Sequence, residues 1–305
     1  MTNPLVSVIV PNYNHARYLE QRLDTVFNQT YQNFEVIILD DKSTDNSLEV
    51  IQRYKDNPHL SQIVVNEQNT GSPFKQWDKG INLAKGELIW IAESDDYNEL
   101  TFLEELIKEW GKHKDVVVAF SQYVLFTDDW ASKSKEHSAQ CFNGIKYIKQ
   151  RMLRGNQIKN ASGVLFKKNI YEQISKEYIS YKSAGDYLMW VMILRFGNVI
   201  KVNKNLSYFR QTISSVTSSN KRSGITARED KKVHDYIEKE YSLNWWQKRV
   251  AYALKLEYIN TFQVADEVVR MEIESVWNKD KYCWKPNSFL LWMIGSLERH
   301  LNILL

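Results

Sequence analysis

The sequence predicts an α/β protein with a mixed, mostly parallel sheet flanked by helices, followed by a C-terminal helical extension. Three observations carry this reading. Over residues 4–100, short β-branched runs alternate with helix-periodic segments, the pattern of a sheet covered on both faces. Pro11 to Asn14, Asp40-Asp41 and Glu93 to Asp96 all fall at the ends of predicted strands, where ligands of such sheets bind. After residue 225 the chain shows only helical patterns, at 226–240, 245–277 and 287–305, separated by Asn and Lys/Pro breaks.

The elements follow in order. Residues 5–10, Leu-Val-Ser-Val-Ile-Val, form a first strand closed by the turn formers Pro11, Asn12 and Asn14. Tyr18, Leu19, Arg22, Leu23, Val26 and Phe27 recur at helical spacing. A second strand spans 34–39, and Ser43 or Thr44 caps a helix over 45–54. Residues 63–65 make a third strand, 74–83 a third helix and 87–91 a fourth strand, with a helical pattern resuming at Asn98. Further strands are expected at 116–120, 162–166 and 199–202, and helices at 144–153 and 187–194. The Ser-, Thr- and Asn-rich stretch 214–223 reads as a mobile loop or linker.

Length and composition bound the function. A chain of 305 residues suits one large or two modest domains. A formal net charge of +3 is small for this length and argues neither way, but the lack of a basic block gives no sign of a nucleic-acid partner. Cys141 and Cys283 are isolated and outside any CxxC spacing, so reduced thiols in the cytoplasm are expected, with a single disulfide as the alternative. No basic n-region opens the chain, and no stretch approaches the roughly 18 apolar residues that span a bilayer.

Residues 92–97 read Ala-Glu-Ser-Asp-Asp-Tyr directly after the apolar run 87–91. Three carboxylates within four residues at the end of a buried strand are costly unless something cationic neutralises them. A divalent metal holding a diphosphate is one reason for such a cluster, because hard cations share oxygen ligands with phosphates. An acidic loop capping the next helix is the other.

The ordered motifs resemble family 2 glycosyltransferases. Val-Ser-Val-Ile-Val-Pro-Asn-Tyr-Asn (6–14), Leu-Asp-Asp-Lys-Ser-Thr-Asp (39–45), Asn69-Thr70-Gly71, Gly86-Glu87-Leu88-Ile89, Glu93-Ser94-Asp95-Asp96, Gly185-Asp186 and Tyr208-Phe209-Arg210 carry the likeness. It covers residues 4–215 and implies a GT-A fold, Rossmann-like, that moves a sugar from a nucleotide diphosphate to an acceptor hydroxyl with inversion. It implies a catalytic domain over 1–215, with a nucleotide-sugar half (1–115) and an acceptor and base half (116–215), and a helical region over 216–305.

The resemblance also implies roles. Asp41 would accept a hydrogen bond from the donor base, with Pro11, Asn12 and Tyr13 walling base and ribose. Asp95 would contact the ribose, and Asp96, with a weaker contribution from Glu93, would bind Mn²⁺ or Mg²⁺. Asp186 would be the general base; it could also act as an N-cap, and the two roles are compatible. Arg210 would approach the diphosphate, the 214–223 segment would close over it as a lid, and Ser162 and Gly163 would line the acceptor side. A UDP-sugar is the favoured donor, and a glycan or lipid-linked saccharide the acceptor. The family's processive synthases carry transmembrane helices and a Gln-x-x-Arg-Trp motif; neither occurs, so non-processive transfer is expected.

The chain departs from the family pattern in two places. Gly185 stands where an acidic residue often precedes the base, and Glu93 stands for Asp. Both leave open a nucleotide- or glycan-binding protein without turnover. A sugar-phosphate nucleotidylyltransferase would want a Gly-rich basic loop after the first strand, where this chain has Pro-Asn-Tyr-Asn-His; a dehydrogenase would want GxGxxG there. The aromatic segments Trp245-Trp246-Gln247-Lys248-Arg249 and 289–294 suggest packing on the catalytic domain, homodimer formation or peripheral contact with the inner membrane surface.

Overall fold

The protein was analysed as a computed structural model that describes residues 3–127, 130–132, 134–211, 216–260, 264 and 266–278. The chain forms two compact units. The first comprises Met1–Gly144, Ile158–Ser180 and Met192–Thr212; the second comprises Ile145–Gln157, Tyr181–Val191 and Ile213–Leu305.

The first unit is built on one sheet. Its strands are β1 (Val6–Asn12), β2 (Phe34–Asp40), β3 (Leu60–Val65), β4 (Leu88–Ile91), β5 (Tyr97–Asn98), β6 (Val116–Phe126), β7 (Gln140–Asn143), β8 (Val164–Lys167) and β9 (Asn198–Arg210). They run β3-β2-β1-β4-β8-β6-β9-β5, with β7 pairing on β9. The β3-β2-β1-β4 half is parallel, as the β-branched runs predict, whereas β8 is antiparallel to β4 and β6. The sheet is therefore mixed, with helices α1 (Ala16–Phe27), α2 (Ser47–Gln52), α3 (Pro73–Leu83) and α4 (Phe102–Trp110) in the connections of its N-terminal half.

Every residue of β1 and β2 is buried, the signature of strands covered on both faces. Pro11 does not end β1, as the sequence suggests, but continues it. Ile9 accepts the Ala92 N–H on the β4 side, and β1–β4 pairing stops there. Pro11, two residues on, faces the same side past the end of β4, so its missing N–H breaks no ladder bond. Beneath this half, Leu19, Leu23, Val26, Val36, Ile38, Trp90, Phe102 and Leu106 form part of one core.

Several expectations are corrected. The helical pattern beginning at Asn98 does not start there, because Tyr97 and Asn98 pair with Tyr208 and Ser207 as β5; the helix begins at Phe102. Ser43 and Thr44 do not cap α2. Asn46 stands at the N-cap without a side-chain hydrogen bond, while Asp45 accepts Ser47 N–H at 3.0 Å through Oδ1 and Ala16 N–H at 2.9 Å through Oδ2 and so ties α1 to α2. The stretch read as a loop is helical over Val216–Arg222, within its described part.

In the second unit lie α5 (Gly144–Gln150, from Ile145 on), the first turns of α7 (Gly185–Leu194), and α8 (Val216–Arg222), α9 (Ile225–Glu240), α10 (Trp245–Asn260) and α11 (Glu267–Asn278); the short α6 (Lys168–Tyr171) belongs to the first unit. The predicted helix over 245–277 is two helices, α10 and α11, ending at Asn260 and restarting at Glu267. Ala227, Tyr252, Ile273 and Trp277 form the core between them, and the Trp277 indole donates to Ala227 O at 3.1 Å. Trp245 and Trp246 stay exposed on the first turn of α10, with Arg249 over the Trp245 ring. Residues 289–294, the 287–305 helix and Cys283 lie outside the described residues; Cys141 is a free thiol. Among the described residues, no helix is long and apolar enough to cross a membrane.

Candidate functional site

The carboxyl ends of β1, β2 and β4 meet at one edge of the first unit. Here β2 ends at Asp40 and the chain continues into Asp41, both buried. Asp40 holds the turn, accepting Asn12 Nδ2 at 2.9 Å and Ser43 N–H at 2.8 Å. Lys42 and Asn14 adopt positive φ values of 66° and 54°, and Asn14 Oδ1 accepts Thr44 N–H at 2.7 Å. Asn suits the left-handed region better than most residues.

Asp41 does not cap a helix. Its Oδ1 accepts Asn66 Nδ2 (2.6 Å), Gln76 Nε2 (2.9 Å) and Thr70 N–H (3.0 Å), and its Oδ2 accepts Thr70 Oγ1 (2.8 Å). This carboxylate therefore gathers the 66–76 segment onto the end of β2. Asn12 Oδ1 and Gln76 Oε1 are buried acceptors without a hydrogen-bond partner. Each is the far oxygen of an amide whose nitrogen holds Asp40 or Asp41. Pro11 is buried, while Tyr13 is 45% exposed at the rim.

The acidic loop after β4 is closed from below and from the side. Ser162 Oγ donates to Asp96 Oδ2 at 2.7 Å and accepts Glu93 N–H at 3.1 Å, while its carbonyl accepts Trp90 Nε1 and Asn98 Nδ2. Antiparallel pairing of β5 with β9 brings Arg210 alongside: its N–H donates to Asp96 Oδ1 at 3.0 Å and its Nε to Asp95 O at 2.9 Å. The guanidinium lies over the rings of Tyr18 and Phe126, at 4.3 and 4.5 Å. The structure thus brings Asp95, Asp96 and Arg210 together. Ser162, expected on the acceptor side, forms the floor of the loop, and Gly163 beside it is tight: a Cβ there would meet Ser207 at 3.2 Å.

Burial and mutual repulsion shape the loop's charge. Asp96 is pushed up to about 7, first by burial and then by Asp95, with Arg22 opposing. Glu93 is pushed up to about 8 by burial and then by Asp95, and its side chain turns to accept the Trp77 indole N–H at 2.6 Å. The counter-charge missed in the sequence is Arg22 on α1. It is fully buried, donates to Glu93 O and Asn98 Oδ1 at 2.8 and 2.7 Å, and leaves its second terminal nitrogen without a partner. A guanidinium within the apolar stripe Leu19, Leu23, Val26 was the available signal, because an Arg in a buried stripe needs a buried partner.

The donor set fits a divalent hard cation: carboxylate oxygens, crowded and incompletely neutralised. Among the described residues, no group of three or more His, Cys, Asp or Glu is placed to hold a metal ion by itself. A metal here would share its coordination shell with phosphate oxygens and water.

Asp186 lies in the second unit, as the second residue of α7 rather than as its N-cap. Asn156 Nδ2 donates to its Oδ2 at 2.8 Å. Burial raises its pKa to about 7, against the Tyr187 N–H and Asn156 and with help from Asp230. Of the 214–223 segment, residues 214 and 215 lie outside the described residues.

A family model, "Glycosyl transferase family 2", matches residues 7–175, more than half of the chain. The protein belongs to glycosyltransferase family 2. Relatives include glycosyltransferase GlyG of Streptococcus pneumoniae, 37% identical over 119 residues, 39% of each chain. The putative teichuronic acid biosynthesis glycosyltransferase TuaG of Bacillus subtilis is 27% identical over 242 residues, 77% of this chain and 92% of that protein. The chain thus spans well under half of GlyG but nearly all of TuaG. Among solved structures, S. aureus TarS with UDP-GlcNAc superposes with a TM-score of 0.68 at 19% identity, over 89% of this chain and 78% of that one. The mannosyltransferase PcManGT of Pyrobaculum calidifontis, in complex with GDP-Man and Mn²⁺, gives 0.58 at 14% identity, over 99% and 82%. The fold is GT-A.

Proposed function

We propose that the protein transfers a sugar from a nucleotide diphosphate, with a UDP-sugar favoured, to a hydroxyl of a glycan or lipid-linked saccharide, in one inverting, non-processive step. The observation that carries this reading is the acidic loop 93–96, clamped by Ser162 and Arg210 at the sheet edge that also holds Asp41. That TarS and PcManGT bind nucleotide sugars in their crystal structures supports it.

In this reading Asp41 holds the base, Pro11, Asn12 and Tyr13 wall base and ribose, and Asp95 binds the ribose. Asp96, with Glu93, would hold a divalent metal whose charge stabilises the departing diphosphate. Arg210, fixed between two rings, adds positive charge on the phosphate side. Asp186 takes the acceptor proton as the acceptor oxygen bonds to the anomeric carbon and the bond to the diphosphate breaks. Ser162 and Gly163 line the acceptor side. Residues 1–215 form the catalytic domain, and the aromatic C-terminal helices contact a second subunit or the inner membrane surface.

A thermal-shift panel of nucleotide sugars with Mn²⁺ tests the reading, because a ligand of the native state raises its apparent stability. A shift confined to one nucleotide class, followed by donor hydrolysis or transfer, is expected. Binding with no hydrolysis or transfer for any donor would favour a binding protein without turnover.

A further inference from the structure

We propose that Glu229 is a positioning residue for Asp186, through which the C-terminal helical region holds the start of the helix that carries the base. The inference rests on the base assignment proposed above.

Glu229 projects from α9, is 8% exposed, and spends both carboxylate oxygens on backbone. Its Oε1 accepts Lys182 N–H at 2.8 Å, and its Oε2 accepts Ser183 N–H at 2.8 Å and Ala184 N–H at 2.9 Å. These three peptide groups immediately precede α7, whose second residue is Asp186. A carboxylate at a helix N-terminus satisfies donors that have no intrahelical partner and interacts favourably with the helix dipole. Here it comes from another helix, so it fixes where α7 starts as well as stabilising it.

Two further contacts hold the same segment. Ser183 Oγ shares a hydrogen bond with Thr226 Oγ1 at 2.7 Å, and Asn220 Nδ2 donates to Lys182 O at 3.0 Å. Residues 182–184 are thereby held on both their N–H and carbonyl sides by α8 and α9. One turn further, Asn156 fixes the Asp186 carboxylate itself. Behind them the buried Asp230–Lys255 pair, at 2.6 Å, joins α9 to α10. A base must lie within hydrogen-bond reach of the proton it takes, and a misplacement of about 1 Å caused far from the chemistry can slow it on the order of 100-fold.

The test compares the full chain with Glu229→Gln, Glu229→Asp and Asp186→Asn. Glu229→Gln keeps the shape but replaces one acceptor with a donor; Glu229→Asp keeps the charge and retracts it by one methylene. In the ligand-free protein, Glu229→Gln should speed amide hydrogen exchange at one or more of residues 182, 183 and 184 by about tenfold or more. UDP affinity with Mn²⁺ should stay within about twofold, whereas kcat, with the nucleotide sugar giving the largest thermal shift, should fall about 10- to 100-fold at nearly constant KM. Glu229→Asp should lie between, and carries the same comparison if Glu229→Gln does not fold. Unchanged exchange at all of residues 182–184, or kcat within about twofold of wild type while Asp186→Asn is inactive, would overturn the proposal. Full transfer by Asp186→Asn would instead remove the base assignment, an outcome independent of any Glu229 variant.

Discussion

Ser162 Oγ donates to Asp96 Oδ2 at 2.7 Å while accepting the Glu93 N–H. One hydroxyl on the turn before β8 thus fixes both ends of the acidic loop that follows β4. Ser162→Ala should destabilise the protein by about 1–3 kcal/mol, since it leaves a buried carboxylate and a buried N–H each short of a partner. Urea denaturation measures this, and UDP binding in Mn²⁺ should weaken in the same variant.

Arg22→Met removes the guanidinium beneath the loop while keeping most of its volume. Breaking a buried charge arrangement on one side costs about 3–5 kcal/mol, and Asn98 Oδ1 loses its donor as well. Denaturation midpoints at fixed pH check this, and a loss under about 1 kcal/mol would show that Arg22 is not the loop's counter-charge.

These two residues show what the sequence yielded and what it withheld. The β1, β2 and β4 runs, and the carboxylates that follow β2 and β4, were legible because strands buried on both faces are almost purely apolar. The apolar pattern of β9 covers only residues 199–202, yet the strand spans Asn198–Arg210. Its polar members Asn203 and Asn205 bond to the 134–138 loop rather than alternating with a solvated face. Helix α8, Val-Thr-Ser-Ser-Asn-Lys-Arg, has weak intrinsic propensity, and Asn220 ties it to Lys182 O. Asp95, Asp96 and Arg210 were each legible as motif positions. Their meeting was not, because it depends on the two-residue strand β5. The hydrogen bonds of Ser162 to the acidic loop were not legible, because no local pattern reveals which loop a hydroxyl will reach.

The pH dependence of turnover should report Asp186. With its pKa raised to about 7, the base is protonated and idle below that pH, so kcat/KM should rise with pH through about 7 and then level off. The sign for stability is opposite. A carboxyl whose folded pKa lies above its unfolded value loses stability as pH rises from about 4 to about 7. Asp186→Asn should therefore be inactive yet at least as stable as wild type at pH 8, with a flatter stability profile. Circular dichroism melts across pH check this.

Asp41→Asn places an amide among the Asn66, Thr70 and Gln76 donors. At least one of them loses its acceptor, and a loss of about 1–3 kcal/mol is expected, with weaker UDP binding measured by calorimetry. Wild-type affinity for UDP would mean that Asp41 organises the 66–76 segment without meeting the base.

The most direct test of the central claim is calorimetric titration of UDP, with and without Mn²⁺, into wild type and Asp96→Ala. The account predicts that wild type binds UDP much more tightly with Mn²⁺, and that Asp96→Ala loses this metal-dependent gain while remaining folded. An Asp96→Ala protein that keeps the full Mn²⁺-dependent gain would contradict the assignment of the 93–96 loop as the metal and diphosphate site.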